Sequence, residues 1–212
     1  MCGFIKTKLL LLMFFTAITV GKVMAVSKPV VEGTDYTVIS GVPVTNEPKG
    51  VVNVKEFFAF SCIHCKDIEP MVEKNFASNK KIDLEKIHVA WEENSLNFAK
   101  FNATISLLNL NNLYIPAFNA VFDRQNLTDQ TVLKGFLGKN GLSKAQIDKF
   151  MSTYNSFTVN SKAAEAKNLT TMYNITATPT FIVADKYEVK SALPDRLIEV
   201  IQELVKKAAA DK

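Results

Sequence analysis

Two cysteines, Cys62 and Cys65, are separated by two residues where a strand-like segment changes into a helix-like one. The preceding segment 51–60, VVNVKEFFAF, is rich in β-branched and aromatic residues, which predicts a buried strand. After Ser61, apolar residues recur at helical spacing as far as Phe76, which predicts a helix. The fold must therefore place both cysteines at the start of a helix that directly follows a buried strand.

Further strands are predicted on either side of a helical block. They fall at 82–91 and 179–184, with about 85 residues of mostly helical pattern between them. A last helix is predicted to start at Pro194, and its apolar face comprises Leu197, Ile198, Val200, Ile201, Leu204 and Val205. Pro70 is expected to kink the helix after the cysteines, since proline lacks a backbone N–H. This pattern indicates an α/β domain with a helical insertion.

The first 25 residues are typical of an export signal. Lys6 and Lys8 precede an apolar stretch at 9–20, and small residues near Ala25 suit cleavage after it. The apolar stretch has about 12 residues, whereas a membrane span needs about 20. We therefore expect a cleaved signal peptide, with an uncleaved membrane anchor as the alternative.

Cleavage after Ala25 changes both the charge and the cysteine count. It removes three lysines and no acidic residue, so the net charge falls from +4 to +1. This balance offers no basic surface for nucleic acid. The remaining chain is long enough for one domain, or for one domain with an inserted second. Because Cys2 is also removed, only Cys62 and Cys65 remain, and they are too close to close a large structural loop.

The position of the pair favours redox chemistry. Unpaired N–H groups and the helix dipole stabilise negative charge at a helix N-terminus, so we expect Cys62 to be the thiolate. Cys65, one turn further on, can form a disulfide with Cys62 or resolve a mixed disulfide. His64 can place positive charge near the Cys62 sulfur, which makes Cys62 a good leaving group.

A zinc site and an inert structural disulfide are the alternatives for the pair. A zinc site needs four ligands, and His64 and His88 are the only further cysteine or histidine candidates after cleavage. An inert structural disulfide would close so short a loop that it would stabilise the fold little. We therefore expect no metal and no inert bridge.

The sequence around the pair resembles a known family. EFFAFSCIHC, residues 56–65, is similar to the active-site strand and helix start of the DsbA-type thiol:disulfide oxidoreductases of the bacterial periplasm, within the thioredoxin superfamily. Segments 31–40, 86–91 and 154–183 resemble the family's N-terminal strand, its next core strand, and the helix and strand around its cis-proline.

The resemblance implies an α/β thioredoxin fold with an inserted helical domain. We assign residues 1–25 to the signal peptide and 26–92 to the first part of the thioredoxin-like domain. Residues 93–166 form the inserted helical domain, and 167–212 form the second thioredoxin-like part.

The resemblance also implies residue roles around the disulfide. Cys62 matches the nucleophile, Cys65 its buried partner, and His64 the histidine that tunes the pair. Pro179, preceded by Thr178, matches the cis-proline that packs beside the disulfide and offers backbone groups to an extended substrate.

Three charged residues match tuning positions of the family. Glu56 and Lys86 match a buried acid and its lysine partner beneath the active site, and Glu69 matches a further acidic position nearby. From burial statistics alone, Glu56 could instead be an edge-strand carboxylate that faces water. His88 lies in an apolar strand, where a histidine is more often a hydrogen-bonded core residue than a catalyst.

The function implied is the introduction of disulfide bonds into exported proteins through Cys62 and Cys65. The implied partners are reduced unfolded proteins in the periplasm and a DsbB-type membrane oxidase, with a monomeric protein and no bound cofactor. Ile63 replaces the proline of the best-known family dipeptide, and a threonine such as Thr178 also precedes the cis-proline in disulfide isomerases and reductases. A reductase or isomerase on the same fold is therefore one alternative, and a chaperone without turnover is another.

Overall fold

The computed structural model describes residues 28–43, 47–190 and 192–211. The predicted signal peptide and its cleavage site lie outside these residues. Within them, none of the helices combines the length and the apolar character needed to cross a membrane. The described residues form five strands: β1 (Tyr36–Val38), β2 (Val52–Phe58), β3 (Ile82–His88), β4 (Thr180–Val183) and β5 (Tyr187–Val189). The same residues form seven α-helices: α1 (Ile63–Val72), α2 (Glu93–Leu107), α3 (Tyr114–Phe122), α4 (Gln130–Lys139), α5 (Lys144–Tyr154), α6 (Phe157–Met172) and α7 (Pro194–Ala210).

The strands form one mixed sheet in the order β1-β5-β4-β2-β3. β2 lies between β3, to which it runs parallel, and β4, to which it runs antiparallel. Both β2 and β3 are shorter than predicted: Phe58 pairs with His88 in the last register of the ladder. Beyond that pair neither strand has a partner in register, and the predicted strand residues 89–91 continue as coil.

β2 is buried along its whole length, and its two faces serve different packing layers. Val52 and Val54 pack with α1 and α7 in one core cluster, and Phe57 packs with α6 in another. This division follows from the alternation of side chains along a strand. Lys55 and Glu56 therefore enter the protein on opposite sides of the sheet.

The helical pattern was predicted well where it was strongly amphipathic. α7 begins at Pro194, and the whole predicted apolar face of that helix is buried. Pro70 lies inside α1 as predicted, and a π-helical turn at Glu73–Ala77 follows directly. The sequence interpretation missed α3 and the short strand β5, and β1 covers only part of the segment expected to be extended.

The insertion joins the sheet through an aromatic core. Phe58 and Phe60 at the end of β2 share a buried cluster with Tyr114 and Phe118 of α3. The predicted domain boundary after residue 166 falls inside α6, a helix that packs against the sheet and against α2. The division into domains stays a prediction.

Candidate active site

Cys62 is the N-cap residue of α1. Its extended backbone (φ −89°, ψ 114°) lets its sulfur turn back over the first helical turn. The backbone N–H of Cys65 donates to Cys62 Sγ over 3.2 Å, and the N–H of Lys66 donates to the Cys62 carbonyl over 3.1 Å. The helix start therefore presents the Cys65 N–H to this sulfur, and such a donor stabilises a thiolate.

The loop before β4 brings Thr178 and Pro179 to the same sulfur. The Thr178–Pro179 peptide bond is cis, as predicted, and Thr180 of β4 pairs with Phe57 of β2. Cys62 Sγ lies 3.3 Å from the Thr178 carbonyl oxygen, which accepts a hydrogen bond from the protonated thiol. Residues more than a hundred positions apart in sequence thus meet at the end of β2.

The two thiols differ in exposure and acidity. Cys62 is partly exposed and Cys65 is buried, and both are free thiols. The hydrogen bond from the Cys65 side chain lowers the pKa of Cys62 from 9.0 to about 6, although burial acts in the opposite direction. The same hydrogen bond, together with burial, raises the pKa of Cys65. At neutral pH the pair therefore consists of one thiolate and one thiol that donates to it.

The two residues between the cysteines point into solvent. Ile63 is 46% exposed, and His64 is also exposed. The positive charge of His64 contributes the smallest of the effects that lower the Cys62 pKa. The predicted tuning by His64 has the expected sign, but the geometry of the helix start contributes more.

Glu56, Lys86 and Glu69 form one buried cluster beneath the pair. The Lys86 ammonium contacts both carboxylate oxygens of Glu69 and lies 3.6 Å from Glu56 Oε2. Neither carboxylate oxygen of Glu56 has a hydrogen-bond partner among the residues described, and its side chain is completely buried. The structure therefore excludes the alternative in which Glu56 faces water.

Burial has a large effect on the Glu56 carboxyl group. Desolvation raises the pKa of Glu56 from 4.5 to about 7, against the attraction of Lys86 and with added repulsion from Glu69. Burial also raises the pKa of Glu69, although Lys86 opposes the shift. Glu56 can therefore exchange a proton near neutral pH directly below the thiols.

His88 is a structural residue, as its place in an apolar strand predicted. Its Nε2 accepts from the Phe60 N–H over 3.2 Å, and its Nδ1 lies 2.9 Å from the Val89 carbonyl oxygen. Its ring stacks between those of Phe60 and Phe98, and burial lowers its pKa to about 4. The neutral ring thus holds the chain between β2 and Cys62.

Sequence reasoning missed the residues that link the site to its surroundings. Trp91 donates its indole N–H to the Ile175 carbonyl over 2.7 Å and so ties the end of β3 to the cis-proline loop. Tyr114 and Asn102, both from the insertion, contact Lys86. No local pattern marks these residues, because each acts through a contact between distant segments.

A groove runs from His64 along the cis-proline loop. Its volume is about 610 Å³ and its lining includes His64, Thr178, Pro179, Glu188 and Leu193. Leu193 is 81% exposed at one side of it. Backbone and apolar surface are therefore both accessible to an extended chain beside Cys62.

A family model described as the DSBA-like thioredoxin domain matches residues 53–203. The chain belongs to this DsbA family. DsbA of Burkholderia cepacia, a thiol:disulfide interchange protein, is 32% identical over 189 residues, which cover 85% of this chain and 86% of that protein. The DsbA of Bordetella pertussis is 29% identical over 159 residues, 74% of each chain.

Solved DsbA structures share the whole architecture. Reduced DsbA1 from Neisseria meningitidis superposes with a TM-score of 0.76 at 29% identity and covers 86% of this chain and 96% of its own. DsbA3 from the same organism superposes with a TM-score of 0.72 at 29% identity, and the match covers 86% of this chain and 98% of DsbA3. These comparisons confirm the α/β thioredoxin fold with its helical insertion, and the DsbA-type protein disulfide oxidoreductase activity.

Proposed function

We propose that Cys62 and Cys65 are the redox pair that introduces disulfide bonds into exported proteins. The observation that carries this proposal is the contrast between the two thiols at the start of α1. Cys62 is accessible and its pKa is lowered to about 6, whereas Cys65 is buried and its pKa is raised. A stabilised Cys62 thiolate favours the dithiol product and so makes the disulfide an oxidant.

Oxidation of a substrate then takes two exchanges. A substrate thiolate attacks Cys62 Sγ, the Cys62–Cys65 bond breaks, and Cys65 leaves and takes up a proton. A second substrate thiolate attacks the substrate sulfur of the mixed disulfide and displaces Cys62 as a thiolate. Two electrons pass from the substrate thiols to the pair, and the substrate keeps the new disulfide. Glu56, Lys86 and Glu69 tune the charge beneath both sulfurs.

Thr178 and Pro179 serve as the docking segment. The Thr178 backbone lies beside Cys62, where an extended peptide can pair with it as an added strand. The adjoining groove accepts side chains that flank the substrate cysteine.

Membership of the family supports a proposal for the environment and the partners. The curated relatives named above are bacterial, and the chain starts with a segment typical of an export signal. We propose that the protein acts as a monomer in the periplasm on reduced unfolded proteins. A DsbB-type membrane oxidase restores the disulfide, and no cofactor of its own is required.

Oxidative refolding of a reduced substrate by the disulfide form tests this function. We expect stoichiometric oxidation, which Cys62→Ser abolishes, and a mixed disulfide that accumulates in Cys65→Ser. A redox titration of the pair against glutathione gives the direction of the reaction. A strongly reducing couple, with rapid insulin reduction and no oxidation, would establish the reductase alternative. Absence of all exchange would establish the chaperone alternative.

A further inference from the structure

Lys86 is held by groups from two parts of the fold. On the thioredoxin side, its ammonium contacts Glu69 of α1 and approaches Glu56 of β2. On the other side, it lies 3.9 Å from the centre of the Tyr114 ring, at the first residue of α3. The side chain of Lys86 is 8% exposed, so these groups replace nearly all of its water.

The insertion also fixes the backbone of Lys86. Asn102 of α2 donates its side-chain N–H to the Lys86 carbonyl oxygen over 2.6 Å. The Tyr114 hydroxyl donates to Asn102 Oδ1 over 2.9 Å. The tyrosine and asparagine are therefore one unit that holds both ends of the lysine, and both are buried.

Glu56 and Glu69 compete for the Lys86 ammonium, and this competition sets the electrostatic environment of the Glu56 carboxylate. Glu69 already takes two contacts from it, while Glu56 is 3.6 Å away without a hydrogen bond. The negative face of an aromatic ring attracts a cation most strongly in a site without water. Tyr114 thus keeps the ammonium from moving wholly onto Glu69.

We propose that Tyr114, supported by Asn102, is a positioning residue through which the helical insertion sets the distance between Lys86 and Glu56. This inference rests on the proposed role of Glu56 beneath the cysteine pair. It gives the insertion a part in the thiol chemistry: any movement of α3 against the sheet changes the charge under Cys62 and Cys65.

The groups that act on Glu56 come from each element around it. Lys86 of β3 favours its carboxylate, while Glu69 of α1 and the Cys62 thiolate oppose it. Glu56 in turn disfavours ionisation of the Cys65 thiol and of the Tyr114 hydroxyl. Lys86 is the only cation that acts on Glu56 among the described residues named here, so its position has a direct effect on Glu56.

Carbon-13 NMR of glutamate side chains measures this effect without any assay of activity. The protein is labelled at glutamate Cδ and titrated in its disulfide form, so that Cys62 does not titrate. The Glu56 signal is assigned by its absence in Glu56→Gln. In Tyr114→Leu we expect the Glu56 midpoint to rise by about half a pH unit or more, because the ammonium moves toward Glu69.

Tyr114→Phe is the matched control, since it keeps the ring and removes only the hydroxyl. Because this change also removes the hydrogen bond to Asn102, we expect a shift in the same direction but less than about half as large as in Tyr114→Leu. Tyr114→Met replaces Tyr114→Leu if the latter fails to fold, because methionine fills irregular space without a ring. An unchanged or lowered midpoint in the ring-free variant, or an equal shift in Tyr114→Phe, overturns the role of Tyr114. Substrate oxidation by the same proteins is a separate measurement, so failure here leaves the proposed function standing.

Discussion

Two buried ionic clusters lie back to back across the central strand, and they are built differently. On one face, Lys55 Nζ lies 2.6 Å from Asp185 Oδ1 and 2.6 Å from Asn53 Oδ1. The Tyr173 hydroxyl donates to the same Asp185 oxygen over 2.5 Å. On the other face, the neighbouring residue Glu56 has no hydrogen bond to either carboxylate oxygen within the described part of the chain.

The clusters show that burial alone does not determine whether a carboxylate has hydrogen-bond partners. Asp185 and Glu56 both have fully buried side chains, and burial raises the pKa of Glu56 to about 7. Asp185 accepts hydrogen bonds from the Lys55 ammonium and from the Tyr173 hydroxyl. Glu56 and Glu69 compete for the single ammonium of Lys86, and Glu56 has no hydrogen bond from it. Its buried carboxylate is therefore poorly stabilised, and its proton can exchange near neutral pH.

The Lys55 cluster has a structural task that its geometry explains. It joins β2 to the turn between β4 and β5 and to Tyr173 at the end of α6. Asp185 and the residue before it, Ala184, have φ angles of 53° and 55°, in the left-handed region. Alanine is rare there, so the buried ion pair helps to hold a turn that the local sequence disfavours.

The largest effect is expected from Lys55→Met, which tests whether the Lys55 cluster stabilises the fold. It leaves the Asp185 carboxylate buried without its cation, which should lower the free energy of unfolding by about 3–5 kcal/mol. Urea denaturation measures the change. Lys144→Met is the control, since Lys144 forms an exposed pair with Asp148, and it should change stability by less than about 0.5 kcal/mol. A loss at Lys55 no larger than this would mean that the cluster does not hold the turn.

Glu56→Gln should raise the free energy of unfolding, whereas Lys55→Met lowers it. The folded-state pKa of Glu56 is raised to about 7, so the folded state binds more protons than the unfolded state between pH 4.5 and that value. Wild-type stability contributed by this group is therefore full below pH 4.5 and is lost as pH rises through about 7. We expect Glu56→Gln to stabilise the protein by about 2 kcal/mol at pH 8, with the gain fading in acid. Urea midpoints at several pH values test this, and equal destabilisation at every pH would contradict it.

Tyr173→Phe gives a smaller effect that separates the two clusters. It removes one hydrogen bond to the Asp185 carboxylate, which should cost about 1.5 kcal/mol of stability. Because this cluster lies on the other face of β2, the thiolate titration of Cys62 should not change. Thermal unfolding and ultraviolet absorbance of the thiolate measure the two quantities. A shifted thiolate titration would show that the clusters are coupled through the strand.

His64→Leu should have the smallest effect. His64 is exposed and is the weakest of the causes that lower the Cys62 pKa, so the pKa should rise only by a few tenths from about 6. The reduced protein gains stability from Cys62 above the ordinary thiol pKa and loses it as pH falls through about 6. Thiolate absorbance followed against pH tests the shift, with Cys62→Ser as the blank. A rise to the ordinary value would make His64 the dominant cause.

The sequence by itself was sufficient for the elements whose signal is local. The strand before Cys62, the helix that starts at it and the apolar face of α7 follow from periodicity. All three are present, although β2 and α1 end earlier than predicted. The cysteine spacing together with the helix start was enough to predict a redox pair. Family resemblance added Thr178, Pro179, Glu56 and Glu69 as predicted site residues. The structure places the Thr178 carbonyl beside Cys62 and both acids beside Lys86.

Only the tertiary structure decided how the buried charges are shared. Lys55 and Glu56 are adjacent polar residues in one apolar strand. Nothing in that strand shows that Lys55 has close hydrogen-bond partners, whereas the Glu56 carboxylate has none among the described residues. Their partners, Asp185 and Lys86, come from other strands, and Tyr114 comes from a helix that periodicity missed. Electrostatic and hydrogen-bond energies depend on distances of a few ångströms in a site without water, and such distances between remote segments exist only in the folded chain.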